Sequence, residues 1–167
     1  ICRNSGPFTY TGSGTYIVGR EGGDVAIIDP GPMNEAHLNA IAAAVGKSRV
    51  SDILITHTHS DHCGGARRLA EMLGAPIRGA GPHPVADKSL DAPALDEGAD
   101  YSFAPDAMIA DGSVIKGDGW SLTALATPGH ISNHLCFALS EEGALFTGDH
   151  IMGWATTVIA PPDGDMG

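Results

Sequence analysis

Hydrophobic and polar positions change their spacing several times along the chain, and each change marks an element. Thr15-Tyr16-Ile17-Val18-Gly19 and Asp24-Val25-Ala26-Ile27-Ile28-Asp29 are short runs rich in β-branched residues, joined by Glu21-Gly22-Gly23, which predicts two strands and a turn. Pro30-Gly31-Pro32 stops the second strand. Asn34 then caps a helix to about Val45, with Ala36, Ala40, Ile41, Ala44 and Val45 on one apolar face and Gly46 closing it. Val50 to Thr56 is an apolar run suited to a buried strand. A second helix is predicted from about Gly64 to Leu73, where Ala66, Leu69, Ala70 and Leu73 recur at helical spacing before Gly74 and Pro76.

Residues 80–106 break this rhythm. Their Pro, Asp and Ala content predicts an irregular connection with room for one short helix, and its length suits a lid or substrate loop. From 107 onward the pattern is short strands: Ala107–Ala110, Ser113–Lys116, Trp120–Thr127, His134–Leu139 and Ala144–Thr147, with Asp111-Gly112 and Asp118-Gly119 as turns. No internal repeat is visible. The expectation is a β-rich, layered α/β fold.

Composition narrows the class. A chain of 167 residues fits one domain, expected to span 1–167. Hydrophobic residues at 43% supply a core, and aromatics at 5% leave it to be built mainly from Ala, Val, Ile and Leu. A net charge of −11 repels phosphate backbones, so tight non-specific binding to DNA is not expected. No apolar run approaches the roughly 20 residues of a membrane span, so no membrane role is expected. Cys2, Cys63 and Cys136 are odd in number and lack paired spacing, which predicts three reduced thiols and a reducing compartment, the cytoplasm. The chain opens on Ile1 and stops abruptly at Gly167, as if cut at both ends.

The chemistry concentrates in Thr56-His57-Thr58-His59-Ser60-Asp61-His62-Cys63-Gly64-Gly65. This stretch follows a strand and precedes a helix, the carboxyl edge where α/β folds place ligands. In extended backbone, residues two apart face one side about 6–7 Å from each other, so His57 and His59 can converge on one ion. As the chain turns into the helix, Asp61 and His62 can face a second. Imidazole and carboxylate suit zinc, and also manganese or iron. A lone His-x-His is commonplace; three histidines and an aspartate within six residues are not. Thr127-Pro128-Gly129-His130 and Phe146-Thr147-Gly148-Asp149-His150 end later strands in turns that would bring His130 and Asp149 to the same edge. Taken singly, either residue could merely cap its turn.

With these segments in view, the chain resembles the metallo-β-lactamase superfamily, whose mark is His-x-His-x-Asp-His followed by a distant His, a distant Asp and a last His. The match runs from about Tyr16 to His150 and includes the Asp29-Pro30-Gly31 strand end. The resemblance implies an αββα sandwich with a dinuclear metal site at one edge. It puts His57, His59 and His130 on the first metal, Asp61 and His62 on the second, and Asp149 between them. The family's final histidine ligand has no counterpart after His150, so the fold is expected to be C-terminally incomplete, without its last strand and helix. Among the other histidines, His134 is read as a structural histidine, with orientation of a ligand as the alternative. His150 is read as a cleft or packing residue, His83 as an ordinary loop histidine and His37 as a helix residue. Cys63 is read as packing.

Two adjacent cations lower the pKa of a bridging water, so the expected activity is metal-dependent hydrolysis by hydroxide, with Asp61 also holding the nucleophile. Superfamily β-lactamases generally lack the bridging aspartate, so Asp149 argues against antibiotic hydrolysis. Flavodiiron oxidoreductases carry Glu where His59 stands, so His59 argues against them. The phrasing from His130 to Leu135 and from Leu145 to Gly153 resembles the β-lactamase-like-protein-2 group, some of whose members cut single-stranded RNA. A phosphodiester or single-stranded nucleic acid is therefore one expected substrate class. A glyoxalase-II-like thioester hydrolase acting on a small molecule is the alternative. A non-catalytic metal-binding module is a third reading, opposed by Asp61 and Asp149, which a purely structural zinc site does not need.

Overall fold

Strand β2 (Asp24–Ile28) lies parallel to β3 (Arg49–Leu54) because helix α1 (Glu35–Val45) carries the chain back between them. Asn34 caps α1 as expected, its Oδ1 accepting the His37 N–H at 3.1 Å, and Gly46 ends it at positive φ. A computed structural model describes residues 1–83, 98–159 and 163–166. The remaining elements in chain order are β1 (Tyr16–Gly19), α2 (Ser60–Cys63), α3 (Ala66–Leu73), β4 (Ile77–Gly79), β5 (Ala107–Met108), β6 (Val114–Gly117), β7 (Trp120–Ala126), β8 (Leu135–Leu139) and β9 (Ala144–Phe146). They form a five-stranded sheet ordered β1-β2-β3-β4-β5, parallel except for β1, and a four-stranded antiparallel sheet ordered β6-β7-β8-β9.

The parallel sheet is covered on both faces, which is why its central strands read as unbroken apolar runs. Val25, Ile27, Ile53 and Ile55 pack under α1 and α3 with Leu38, Ile41 and Leu69. Ala26, Ile28 and Leu54 point the other way, against Leu122, Ala124, Leu135 and Phe137 of the second sheet. The layers are therefore helix, sheet, sheet. The outer helix layer of the expected αββα sandwich is not among the described residues.

The sheets are tied together at the far end by the Trp120 indole N–H, which donates to the Asp24 carbonyl at 2.8 Å, and again beside the end of β3. The Leu135 N–H donates to the Thr56 carbonyl at 2.7 Å, across the junction between the end of the first sheet's central strand and the start of β8.

Three local expectations are revised. The second helix begins at Ala66, and a separate one-turn helix, α2, forms first over Ser60–Cys63. Strand β4 was not anticipated, because three residues directly after Pro76 carry too little pattern to read; it pairs with β3 through Ile53↔Ile77 and Leu54↔Arg78. β5 is two residues long, since it pairs only with β4 at Ala107 and Met108. The expected lid falls mostly on 84–97, outside the described residues.

Candidate metal centre

The chain leaves β3 at Leu54 and delivers Thr56, His57 and Thr58 as buried residues before α2 opens at Ser60. From the second sheet, the Pro128-Gly129 turn presents His130, and the turn after β9 presents Asp149. Six expected site residues meet where the sheets are tied beside β3.

His57 Nε2 and His59 Nδ1 lie 3.0 Å apart, and His130 Nε2 lies 2.9 Å from the same His59 nitrogen. Two nitrogens bound to one tetrahedral ion at roughly 2.0–2.1 Å sit about 3.3 Å apart, so these three atoms already approximate the face of a metal site. A second set, His57, His62 and Asp149, also brings its ligand atoms within 4.8 Å of one another. Asp61 stands beside it, with Oδ2 3.4 Å from His62 Nε2, and Asp149 Oδ1 lies 3.2 Å from that nitrogen. Asp149 Oδ2 is 3.8 Å from His130 Nε2, so the Asp149 carboxylate lies between the two sets.

Outer hydrogen bonds turn three of the rings so that the ligating nitrogen faces the centre. His57 Nδ1–H donates to Thr56 Oγ1 at 3.0 Å, and that hydroxyl donates to Asp29 Oδ2 at 2.7 Å. His62 Nδ1–H reaches the same Asp29 oxygen at 2.8 Å. His130 Nδ1–H donates to the Val158 carbonyl. Asp29 thus orients one histidine of each set, from a buried position at φ 50°, a left-handed conformation that costs a non-glycine residue energy.

Burial acts on these groups through different neighbours. His57 is held well below the ordinary imidazole range, first by burial and then by the histidines around it. Burial opposes the charge on His62 too, yet the Asp29 and Asp149 carboxylates outweigh it and raise His62 well above that range. Asp149, which burial alone would push up, is held at about 2 by its hydrogen bond to His62 and the charge there.

His134 is wholly buried and does more than pack. Its Nε2 accepts the Asp149 N–H at 3.2 Å, and its Nδ1 pairs with Thr127 Oγ1 at 2.9 Å; burial brings its pKa down to about 3, so the ring is a neutral acceptor. Gly148, at φ 49°, passes so close that a Cβ would lie 2.7 Å from His134 Nε2 and 2.9 Å from Thr56 Oγ1. His83, read as an ordinary loop histidine, is buried and hydrogen-bonded to Thr58 Oγ1 at 2.8 Å. His37 pairs with Thr15 Oγ1 at 3.0 Å, and His150 is exposed. Cys63 packs in the helix-side core, and all three cysteines are free and buried. Asp29, Thr56 and Ser13 are the contributors that sequence reading did not assign; only the Asp29-Pro30-Gly31 strand end hinted at one of them.

The family model described as metallo-beta-lactamase superfamily matches residues 10–167. The chain belongs to the metallo-beta-lactamase superfamily. It is 36% identical over 159 residues to the atrochrysone carboxyl ACP thioesterase of Aspergillus fumigatus, covering 92% of this chain and 44% of that protein. It is 35% identical over 159 residues to the lactamase-like protein GME11357 of Pestalotiopsis microspora, covering 94% of this chain and 44% of that protein. The chain therefore spans less than half the length of these curated relatives. Among solved structures, the BLEG-1 B3 metallo-beta-lactamase superposes with a TM-score of 0.70 at 20% identity, over 90% of this chain and 73% of that one, a likeness of fold. TTHA1623, solved in a di-iron-bound form, superposes with a TM-score of 0.67 at 27% identity, over 90% of this chain and 74% of that one. No helix among the described residues is long and apolar enough to cross a membrane.

Proposed function

We propose that this protein is a metal-dependent thioester hydrolase. His57, His59 and His130 would hold one divalent cation, Asp61 and His62 a second, and Asp149 would be shared between them. The donor set suits zinc, with iron and manganese as alternatives. When bound, such a pair supplies an ionised water near neutral pH and polarises the substrate oxygen. Asp61 would orient the attacking water by a hydrogen bond, and the His57–Thr56–Asp29 chain would keep the first-site imidazole from turning.

The reading is carried by the cleft that opens beside Asp61, His62 and Asp149. It has a volume of about 380 Å³, its walls set Phe8, Tyr16, Met152 and Trp154 beside the hydroxyl-bearing Thr9, Thr11, Ser13, Thr15 and Thr147, and no lysine or arginine lines it among the described residues. Phosphodiester substrates call for cationic clamps on their charged oxygens. A neutral acyl group does not. A thiol has a pKa near 8.5, so a thiolate leaves without a proton donor, and Asp149, held ionised, offers none. The thioesterase names of the relatives support the same choice over RNA. Three free buried thiols support a reducing compartment such as the cytoplasm.

The test is a comparison of substrates on metal-replete protein. Acyl thioesters should be hydrolysed, chelation should abolish turnover, and kcat/KM on single-stranded RNA or a phosphodiester should be lower by about 100-fold or more. Faster phosphodiester cleavage would overturn the reading.

A further inference from the structure

We propose that Ser13, bracketed by Asn4, is a positioning residue that holds the Asp61 carboxylate for the second cation. The inference rests on the two-ion reading above. Ser13 lies 48 residues from Asp61 in sequence and is buried, and its Oγ donates to Asp61 Oδ2 at 2.7 Å. That oxygen is also the one 3.4 Å from His62 Nε2, so the hydrogen bond falls on the carboxylate atom that faces the second ligand set.

The direction of the Ser13 proton follows from its other partner. The Asn4 carboxamide grips the serine twice, accepting the Ser13 N–H at Oδ1 over 2.9 Å and donating from Nδ2 to Ser13 Oγ over 3.0 Å. With one lone pair of Oγ occupied by the Asn4 amine, its single proton is left for Asp61. The loop around the serine is itself fixed. Cys2 N–H donates to the Ser13 carbonyl at 2.9 Å, and Gly12 sits at φ 128° where a Cβ would lie 1.8 Å from the Cys2 carbonyl oxygen.

Asp61 needs such a hold. It stands in α2, a single turn of four residues with no side-chain cap, and its side chain is 30% exposed. Neither its helix nor its burial confines the carboxylate to one rotamer, while the serine hydroxyl supplies a fixed donor from a separate loop. Partners of this kind typically change metal affinity by about 10–100-fold when removed.

The experiment titrates zinc into metal-free native chain and Ser13→Ala against a chromophoric chelator, with thermal unfolding and kcat/KM alongside. In Ser13→Ala the affinity for the second equivalent should fall by about 10–100-fold, with the first equivalent and the unfolding temperature nearly unchanged. Turnover should recover in excess zinc. If Ser13→Ala does not fold, Asn4→Ala, which leaves the hydroxyl in place but unbracketed, should show a smaller loss in the same equivalent. Unchanged affinity, or equal loss at both equivalents together with a lower unfolding temperature, would mean that Ser13 only builds the loop. A native chain that takes up one ion or none overturns the two-ion reading and the Ser13 assignment together. Two native ions with an unaffected variant overturn Ser13 alone.

Discussion

The two ligand sets sit side by side under the same sheet edge, yet burial leaves a histidine of each in opposite states. Desolvation first, and then the imidazoles around it, drive the buried His57 to its neutral form. Around His62 the neighbours are Asp29, Asp61 and Asp149, and the carboxylates keep a proton on the ring despite equal burial. His57 is ready for a cation without losing a proton. His62 holds a proton where a cation would bind, and the carboxylates around it stabilise either occupant. What separates them is the charge of their neighbours and not their depth.

The largest expected effect comes from removing the group that lies between the sets. Asp149→Ala should cost the second ion and lower turnover on the order of 10³-fold, because the shared carboxylate offsets the repulsion between cations. Asp149→Asn, which keeps shape and loses charge, should behave alike. Metal analysis should still find the first ion. Two ions per chain with near-native turnover would mean that Asp149 is a turn residue.

Asp29→Asn should erase the contrast instead of deleting one side. With the amide oxygen kept on the Thr56 N–H, the amide nitrogen replaces the oxygen that accepts from the Thr56 hydroxyl and from His62, so affinity should fall for both ions, and breaking the buried pair should destabilise the fold by about 3 kcal/mol. The sign of its pH dependence follows from the raised pKa of His62. A raised folded-state value contributes stability that is fully present below the unfolded value near 6.5 and disappears as pH rises through the folded one. In chelator, the stability gap between native chain and Asp29→Asn should therefore be widest below about pH 6.5 and narrow as pH increases. Urea unfolding across pH measures it; a gap that widens at high pH would put the His62 proton elsewhere.

Gly148→Ala should give the smallest change. Its Cβ would press on His134 and Thr56, displacing the next residue, Asp149, while His59 and His130 stay in place. The second ion should weaken by about 10-fold, with a smaller loss at the first through the Thr56 hydroxyl that orients His57, read by the same zinc titration. Equal weakening of both would show that the two sets share one rigid wall.

Much of the candidate centre was legible because its chemistry is contiguous. His57, His59, Asp61 and His62 share one strand-to-helix passage, and their spacing carries the geometry directly. His130 and Asp149 needed the added inference that turns after apolar strands reach a common edge, which the antiparallel pairing of β7, β8 and β9 provides. Asp29, Ser13 and Asn4 act across long separations through single hydrogen bonds, and no local pattern distinguishes them from ordinary turn residues. His83 was misjudged for a related reason. A histidine between two prolines has the look of a loop, and only the neighbouring Thr58 and Tyr101 show that it is packed inward. β4 escaped notice because three residues display less than two periods of alternation.

The hydrogen bond from Leu135 to Thr56 works as a rivet in the molecule's framework. It clamps the layers beside the spot where their contributions to the centre meet, and the Trp120 indole pins them again at the far end through the Asp24 carbonyl. With a pin at each end, shear of one layer over the other is resisted along the whole seam, and the spacing between His57 and His130 is held by the framework of the sandwich.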